Sequence, residues 1–216
     1  KARTGDVEGA LEALQREVVK QPDNVDAAMA LWNLAVAHGE TARAVEPMVR
    51  AILGALRSGD SGFVVSHWEE VLIHVPEVEI DPLSAVRIAE ILDQEQRVVS
   101  AVETLELARQ RASPSTPAAV LLRMARLGLV LEAPSVEAMV RAALEHPETP
   151  AVARPELEVA MWGLARGGRA GGSSGAPAGR PWTSRLAPSG DHSGRWWPPA
   201  AGIVARRSVA RRPYLW

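Results

Sequence analysis

The stretch "PLSAVRIAEILDQEQRVVSAVETLELARQRA", residues 82–112, contains two helical runs separated by a short polar link. In both runs apolar residues recur at helical spacing, and small residues stand beside leucines. The residues concerned are Ile88, Ala89 and Leu92 in the first run, and Ala101, Leu105 and Ala108 in the second. Small side chains let two helices approach closely, while Leu92 and Leu105 fill the space between them. The stretch therefore predicts two antiparallel helices packed on each other.

Helix breakers divide residues 5–162 into nine short runs of this kind. The predicted helices span residues 6–20, 25–38, 41–57, 61–75, 83–94, 98–111, 118–130, 135–145 and 154–164. Because the connections are short, consecutive helices are expected to lie antiparallel. A helix of about fourteen residues cannot bury its apolar face alone, so the pairs must stack on one another. The predicted fold class is all-α.

The ends of these runs carry recognisable signals. A side-chain oxygen just before a run can accept a hydrogen bond from a free backbone amide of the first turn. The predicted N-caps of this kind are Asp60, Asp81, Thr116 and Ser135. Gly39 stands directly after the run 25–38 and Gly59 two residues after the end of the run 41–57, where glycine commonly ends a helix. These signals fix where the helices are expected to begin and end.

The pattern at residues 82–112 resembles the tetratricopeptide repeat, a helix–turn–helix unit of about 34 residues with small residues at fixed positions. Residues 25–51 fit the same template through Leu31, Ala35, Gly39, Ala44 and Ala51, with Trp32 at a position that is usually small. Residues 5–24 resemble the second helix of a preceding repeat through Gly5, Ala10, Leu14 and Pro22, with Glu17 replacing a small residue. The resemblance spans residues 5–146 and implies a short right-handed solenoid.

One segment fits this template in two ways. Residues 41–57 fit the second helix of a repeat through Ala44 and Ala51. They fit equally well the first helix of the next repeat, ahead of Gly59. Strict alternation of two helices cannot satisfy both assignments. We therefore predict an irregular unit near residues 41–75, with one extra helix or a shift of phase.

Charge and composition change after Trp162. Residues 163–216 contain nine arginines and one acid, a net charge of +8, whereas residues 1–162 carry −10. The later segment also holds ten glycines and six prolines, and such a composition buries too little apolar surface to offset its ordering entropy. We predict a helical domain over residues 1–162 and a disordered basic tail over residues 163–216. Because GC-rich DNA read out of frame encodes a similar alphabet, a frameshift product is a second interpretation of the tail.

Catalytic and metal-binding patterns are weak. His67, Glu70 and His74 lie at i, i+3 and i+7 on one helix face, but no second helix offers complementary ligands. We interpret them as a solvated face with Trp68 turned inward. Ser61 in "GDSGF" is better explained as a helix start than as a nucleophile, because no strands surround it. The chain has no cysteine. We predict a protein that is not an enzyme and has no cofactor and no metal site.

The resemblance also implies a binding surface on the concave side of the stack. In tetratricopeptide repeats this side grips an extended peptide or a partner helix. The corresponding residues are Asp26, Met29, Asn33 and Val36 in the second predicted helix, and Leu83, Val86, Glu90 and Asp93 in the fifth. The basic clamp of chaperone-binding members is missing from these positions. We predict a scaffold for protein–protein interaction with a mixed apolar and acidic groove; a plain spacer surface is the alternative.

The tail supports a different interpretation. Arginines can hold phosphates while tryptophans stack on bases or sit at a lipid interface. The residues that would do so are Arg206, Arg207, Arg211, Arg212, Trp196 and Trp197. The alternative function is thus a nucleic-acid or anionic-surface binder.

The chain begins with Lys1, and only two of its basic residues are lysines. We expect one segment of a longer bacterial protein, located in the cytoplasm, since no run is long and apolar enough to span a membrane. A looser resemblance, to the helical-repeat regions that follow rhomboid-type membrane proteases, implies the cytosolic repeat region of such a parent. No protease residues are present in this chain.

Overall fold

The computed structural model describes the backbone of residues 4–170 and the side chains of residues 7–166. Within these residues the chain is all-helical, with nine α-helices, one short 3-10 turn and no strand. The helices are α1 (Thr4–Lys20), α2 (Val25–His38), α3 (Val45–Ser58), α4 (Ser61–His74), α5 (Pro82–Gln94), α6 (Val98–Arg111), α7 (Ala118–Val130), α8 (Val136–Glu145) and α9 (Arg154–Ala170). All nine predicted runs are confirmed as helical. Residues 171–216, most of the predicted tail, lie outside the described residues.

Two of the four predicted N-caps are confirmed. The Asp60 and Asp81 side chains each accept a hydrogen bond from the backbone amide three residues later, at 3.0 and 2.9 Å. Gly39 and Gly59 end α2 and α3 with φ of +75° and +81°, a left-handed conformation that a Cβ disfavours. The local signals therefore act here as expected.

The other two predicted caps are wrong. The Thr116 hydroxyl oxygen accepts instead from the backbone amide of Ser113, at 2.9 Å, and thereby closes the loop before α7. Ser135 makes no side-chain cap bond; its own backbone amide donates to Glu106 Oε1 on α6, at 3.0 Å. In neither place does the predicted side chain accept a hydrogen bond from an amide of the first helical turn.

The helices α1 to α8 form four consecutive pairs. Packing is most extensive within α1/α2, α3/α4, α5/α6 and α7/α8, and α9 packs on α8. Connections within the last three pairs are short and those between pairs are longer: residues 59–60, 95–97 and 131–135 against residues 75–81, 112–117 and 146–153. Because α3 packs more on α4 than on α2, α2 is the second helix of its pair and α3 the first of the next.

This pairing resolves the conflict at residues 41–57. Near residues 41–75, where an extra helix or a shift of phase was predicted, the structure contains α3, α4 and one short 3-10 turn, Thr41–Arg43, and no additional α-helix. The irregularity is the 3-10 turn, which separates α2 from α3. The helices α3, α5, α7 and α9 begin at Val45, Pro82, Ala118 and Arg154, so successive starts are 37, 36 and 36 residues apart. This spacing is longer than the about 34 residues of a tetratricopeptide repeat.

The predicted contact between α5 and α6 is confirmed. All six of its residues, Ile88, Ala89, Leu92, Ala101, Leu105 and Ala108, are completely buried. A similar close approach joins α7 and α8 at Gly128, where an added Cβ would come within 2.8 Å of Met139 Sδ. Small residues at the contact thus permit the close packing of both pairs.

Polar contacts link successive odd-numbered helices, which are the first helices of the pairs. Arg43, in the 3-10 turn before α3, donates to Glu8 of α1 at 2.8 Å. The Arg87 guanidinium of α5 donates to a backbone carbonyl of α3. The guanidinium of Arg123 on α7 grips Glu90 on α5 with two nitrogens. The Arg126 guanidinium of α7 donates to Glu156 of α9. One series of contacts therefore runs from α1 to α9 through the first helices of the pairs.

A second series links the even-numbered helices. Buried Trp68 on α4 donates its indole Nε1–H to the Thr104 hydroxyl on α6, at 2.8 Å. Ser100 on α6 donates to Glu69 on α4, also at 2.8 Å. The contact of Glu106 with the start of α8 continues this series. The second helices of successive pairs are thus joined to one another.

Candidate functional site

The structure does not bring the eight predicted binding residues to equivalent positions. Asp26, Met29, Asn33 and Val36 lie on α2, the second helix of its pair, whereas Leu83, Val86, Glu90 and Asp93 lie on α5, the first helix of its pair. The prediction had assigned both helices to the first position of a repeat. Because α2 is the second helix of its pair and α5 is the first helix of its pair, the two sets belong to different series of helices.

Two members of the α5 set are engaged within the fold. Val86 is completely buried in the core and is therefore not a surface residue. Glu90 is held by Arg123 in a two-pronged ion pair. Leu83 is 44% exposed at the start of α5, and Asp93 is partly exposed near its end. Two of the four α5 residues therefore serve the fold, and Leu83 and Asp93 remain accessible.

The α2 set is more accessible. Asp26 and Asn33 are exposed, and Met29 and Val36 are partly exposed. Asn33 lies 36 residues before Glu69, and Val36 lies 36 residues before Leu72, so both align with residues of α4 when Trp32 is aligned with Trp68. The α2 residues Asn33 and Val36 therefore occupy positions equivalent to Glu69 and Leu72 of α4.

A groove of about 380 Å³ lies between α4 and α6. Its walls are formed by Glu69, Leu72 and Ile73 from α4 and by Ser100 and Glu103 from α6. Of the two aliphatic residues, Leu72 is largely buried, whereas Ile73 is 76% exposed. The groove combines an exposed branched aliphatic side chain with two carboxylates.

The two carboxylates differ in how they are held. Glu69 Oε1 accepts a hydrogen bond from the Ser100 hydroxyl, with 2.8 Å between the oxygens, and Glu69 Oε2 lies 4.0 Å from Arg97 Nε. The orientation of the Glu69 carboxylate is therefore fixed by the N-terminal part of α6. Glu103 is exposed. Such a groove suits a ligand that places an apolar group on Ile73 and a cationic or N–H donor group beside the carboxylates.

Sequence reasoning missed this groove. Glu69 and Ile73 lie one helical turn apart within "HWEEVLIH", but the metal-like spacing in this stretch belongs to His67, Glu70 and His74. The available signal was Ile73 itself, since the buried residues Val64, Trp68 and Val71 already define the inner face of α4 and leave Ile73 outside it. The α6 wall could not be assigned without knowing which helices are neighbours.

On the histidine face of α4, His67 and Glu70 are partly exposed and His74 is exposed. His67 Nδ1 lies 3.9 Å from Glu70 Oε2, and the His67 ring packs on Phe63. The His74 ring contacts Trp32 edge-on, with 6.1 Å between centroids. Trp68 is completely buried, as predicted. No group of three or more potential ligands within the described residues could hold a metal ion.

Ser61 is the first residue of α4, in agreement with its interpretation as a helix start. The tail residues Arg206, Arg207, Arg211, Arg212, Trp196 and Trp197 lie outside the described residues. Among residues 4–170, no helix is long and apolar enough to cross a membrane. No protein-family model, no curated protein and no solved structure matches the chain.

Proposed function

We propose that the chain is a non-catalytic scaffold for protein–protein interaction that binds an extended peptide or a partner helix in the groove between α4 and α6. In this proposal the helix pairs stack as a short right-handed solenoid similar to tetratricopeptide repeats, within a larger bacterial protein of the cytoplasm. The binding surface belongs to the second helices of the pairs, and the α2 residues Asn33 and Val36 extend it.

The stacking part of the proposal is supported by the two series of contacts. First helices contact first helices, as in the Glu90–Arg123 pair, and second helices contact second helices, as in the Trp68–Thr104 bond. A repeat stack requires such contacts, because each pair can bury its second apolar face only against the next pair.

The binding part of the proposal is supported chiefly by the exposure of Ile73 in a groove flanked by carboxylates. An aliphatic side chain exposed to this extent gains about 1.5–3 kcal/mol when a ligand buries it fully. Glu69 is already oriented by Ser100, so a ligand donor would find a fixed acceptor. Preorganised polar groups around an apolar anchor are typical of peptide-binding surfaces.

The test is a selection of random linear peptides on the immobilised full-length chain. Enriched peptides are then measured against the wild type, Ile73→Asp and the matched control Val130→Asp. Both substitutions add a carboxylate to a highly exposed position, 76% and 71% exposed respectively, and Val130 lies on α7, away from the groove. Circular dichroism confirms that both variants are folded.

The proposal predicts peptides that lose at least about tenfold in affinity for Ile73→Asp, corresponding to about 1.4 kcal/mol, and that bind Val130→Asp like the wild type. A Glu103→Lys variant should weaken peptides that contain arginine or lysine. Failure to enrich any peptide, or equal binding to all variants, would refute the proposal.

A further inference from the structure

The helices α4 and α6 run in the same direction, and this determines which residues of the groove lie side by side. Near the start of α6, Ser100 contacts Glu69 of α4. At the end of α6, Arg111 donates to the backbone carbonyl of Glu77, which follows α4, at 3.2 Å. Contacts therefore advance along both helices together, and the groove can be divided into two successive levels.

The first level of the groove is satisfied within the chain. Glu69 accepts a hydrogen bond from Ser100, and the Arg97 guanidinium lies beside its other oxygen, so a cation already accompanies this carboxylate. The Glu69 side chain is only 27% exposed. The next acid along α6, Glu106, is paired with Arg109 at 2.8 Å. Both arginines are therefore engaged with acids other than Glu103.

The second level consists of Ile73 from α4 and Glu103 from α6. Ile73 follows Glu69 by one helical turn. Glu103 follows Ser100 by one helical turn, so in helices that run in the same direction Ile73 and Glu103 lie at the same level. Both line the groove and both are exposed. Among the side chains that the structure describes, none forms an ion pair with Glu103. An exposed aliphatic side chain thus stands beside a carboxylate that has no cation in this part of the chain.

An arginine side chain matches this pair of residues. Its methylene groups form an apolar stem that packs on aliphatic surface while its charged end reaches a polar partner. The planar guanidinium can bind a carboxylate through two parallel N–H···O bonds, whereas the compact ammonium of lysine has no such fork. An aliphatic ligand residue would cover Ile73 but would leave Glu103 without a cation.

We propose that Ile73 and Glu103 are the specificity-determining pair of the groove and select an arginine of the bound partner peptide, with its stem on Ile73 and its guanidinium on Glu103. This inference rests on the proposed function of the groove and names the side chain that the groove recognises. Because Arg97 accompanies Glu69, Glu103 is the acid that takes the charge of the ligand.

The test uses the arginine-containing peptides among those selected on the immobilised full-length chain. In the tightest of them, each arginine is replaced in turn by citrulline, which keeps the stem and loses the charge, or by a guanidino analogue whose stem lacks two methylene groups. Isothermal titration calorimetry measures the affinity of each peptide for the wild type, Glu103→Gln, Glu69→Gln and Ile73→Ala. The matched control for loss of a carboxylate is Glu145→Gln, at an exposed acid that ends α8.

At one arginine position we expect citrulline to lower the affinity for the wild type about fivefold, because an ion pair is lost. The short-stem analogue should lower it about tenfold, because two methylene groups no longer cover Ile73. In Glu103→Gln the arginine and citrulline peptides should bind within about twofold of each other, and in Ile73→Ala the cost of the short stem should fall to about threefold or less. Glu145→Gln should retain the wild-type preference for arginine, and high salt should reduce that preference.

Selected peptides that depend on Ile73 but contain no arginine, or that tolerate citrulline at every position, would overturn this proposal and leave the proposed function intact. Failure to select any peptide that depends on Ile73 would overturn both. A preference for arginine that is lost in Glu69→Gln and kept in Glu103→Gln would place the cation at the wrong acid and refute the assignment.

Amide chemical shifts of the full-length chain without peptide identify other sources of the arginine. The substitution Glu103→Gln should change shifts near the groove alone. Changes in residues 171–216 would identify the chain's own arginines as the occupant, and changes that depend on protein concentration would identify a second copy. Either result would overturn the proposal.

Discussion

The hydrogen bond from Trp68 to Thr104 gives the sharpest test of how the second helices are joined. Both side chains are completely buried, and the indole Nε1–H lies 2.8 Å from the Thr104 hydroxyl oxygen, which donates in turn to the Ser100 carbonyl at 2.6 Å. The substitution Thr104→Val replaces the hydroxyl by a methyl group of nearly the same size. It removes the acceptor of the indole without opening a cavity.

The expected cost follows from the donor that is left behind. A buried N–H group without a partner costs about 1–3 kcal/mol, and the methyl group of valine cannot accept a hydrogen bond. For a chain of this size a loss of 2 kcal/mol lowers Tm by about 4–8 °C. We therefore expect Thr104→Val to lower the free energy of unfolding by about 2 kcal/mol.

Urea titration followed by far-UV circular dichroism measures this free energy, since the seven tryptophans complicate a fluorescence signal. The variants are Thr104→Val, Trp68→Phe and the double substitution, which together form a double-mutant cycle. The bond predicts a coupling of about 1–2 kcal/mol, because Thr104→Val costs less once the indole donor is gone. Additive effects within about 0.5 kcal/mol would refute the reasoning.

Three further predictions concern stability and use the same urea titrations. Asp60→Ala removes the cap of α4 and should cost about 0.5–2 kcal/mol, whereas Ser135→Ala removes no cap bond and should cost clearly less; equal costs would contradict the cap assignment. Gly59→Ala forces a Cβ into a left-handed conformation at φ +81° and should cost about 1 kcal/mol, while Gly54→Ala, inside α3, should be stabilising by about 0.5–1 kcal/mol. Glu90→Gln breaks a half-exposed ion pair and should cost less than about 1 kcal/mol; a cost that does not shrink in high salt would argue against a surface ion pair.

The positions of the helices could be predicted because their signals are local. Asp60, Asp81, Gly39 and Gly59 act within one turn of the chain, and their chemistry is independent of the rest of the fold. The α5/α6 contact could also be predicted, because its small and large residues lie within one continuous stretch. The failed caps at Ser135 and Thr116 show the limit of such reasoning. The Thr116 oxygen accepts from the Ser113 amide of the preceding loop, and Ser135 makes no side-chain cap bond.

Which consecutive helices form a pair could not be predicted, because residues 41–57 fit both the first and the second helix of a repeat. It is set by tertiary packing, in which a two-residue link ties α3 to α4 while a 3-10 turn separates α3 from α2. Because α2 was assigned as the first helix of a repeat, the predicted binding surface combined residues from both series of helices. Val86 was assigned to the groove although its register position is buried in every first helix from α3 to α7.

The groove itself also required the structure. Glu69 and Ser100 are 31 residues apart and become neighbours only when α4 and α6 pack side by side. No local pattern in either helix marks this contact. Exposure of Ile73 likewise depends on where the other helices lie, although its position outside the Val64–Trp68–Val71 spacing could have indicated it.

Backbone-amide chemical shifts of the isotope-labelled full-length chain, recorded as a selected peptide is added, test the proposed binding groove most directly. The largest changes should fall on residues 69–73 of α4 and 99–103 of α6, with little change in α1 and α7. The same peptide should produce no such changes in the Ile73→Asp variant. Changes confined to the first helices of the pairs, or to residues 171–216, would contradict the assignment of the groove as the binding site.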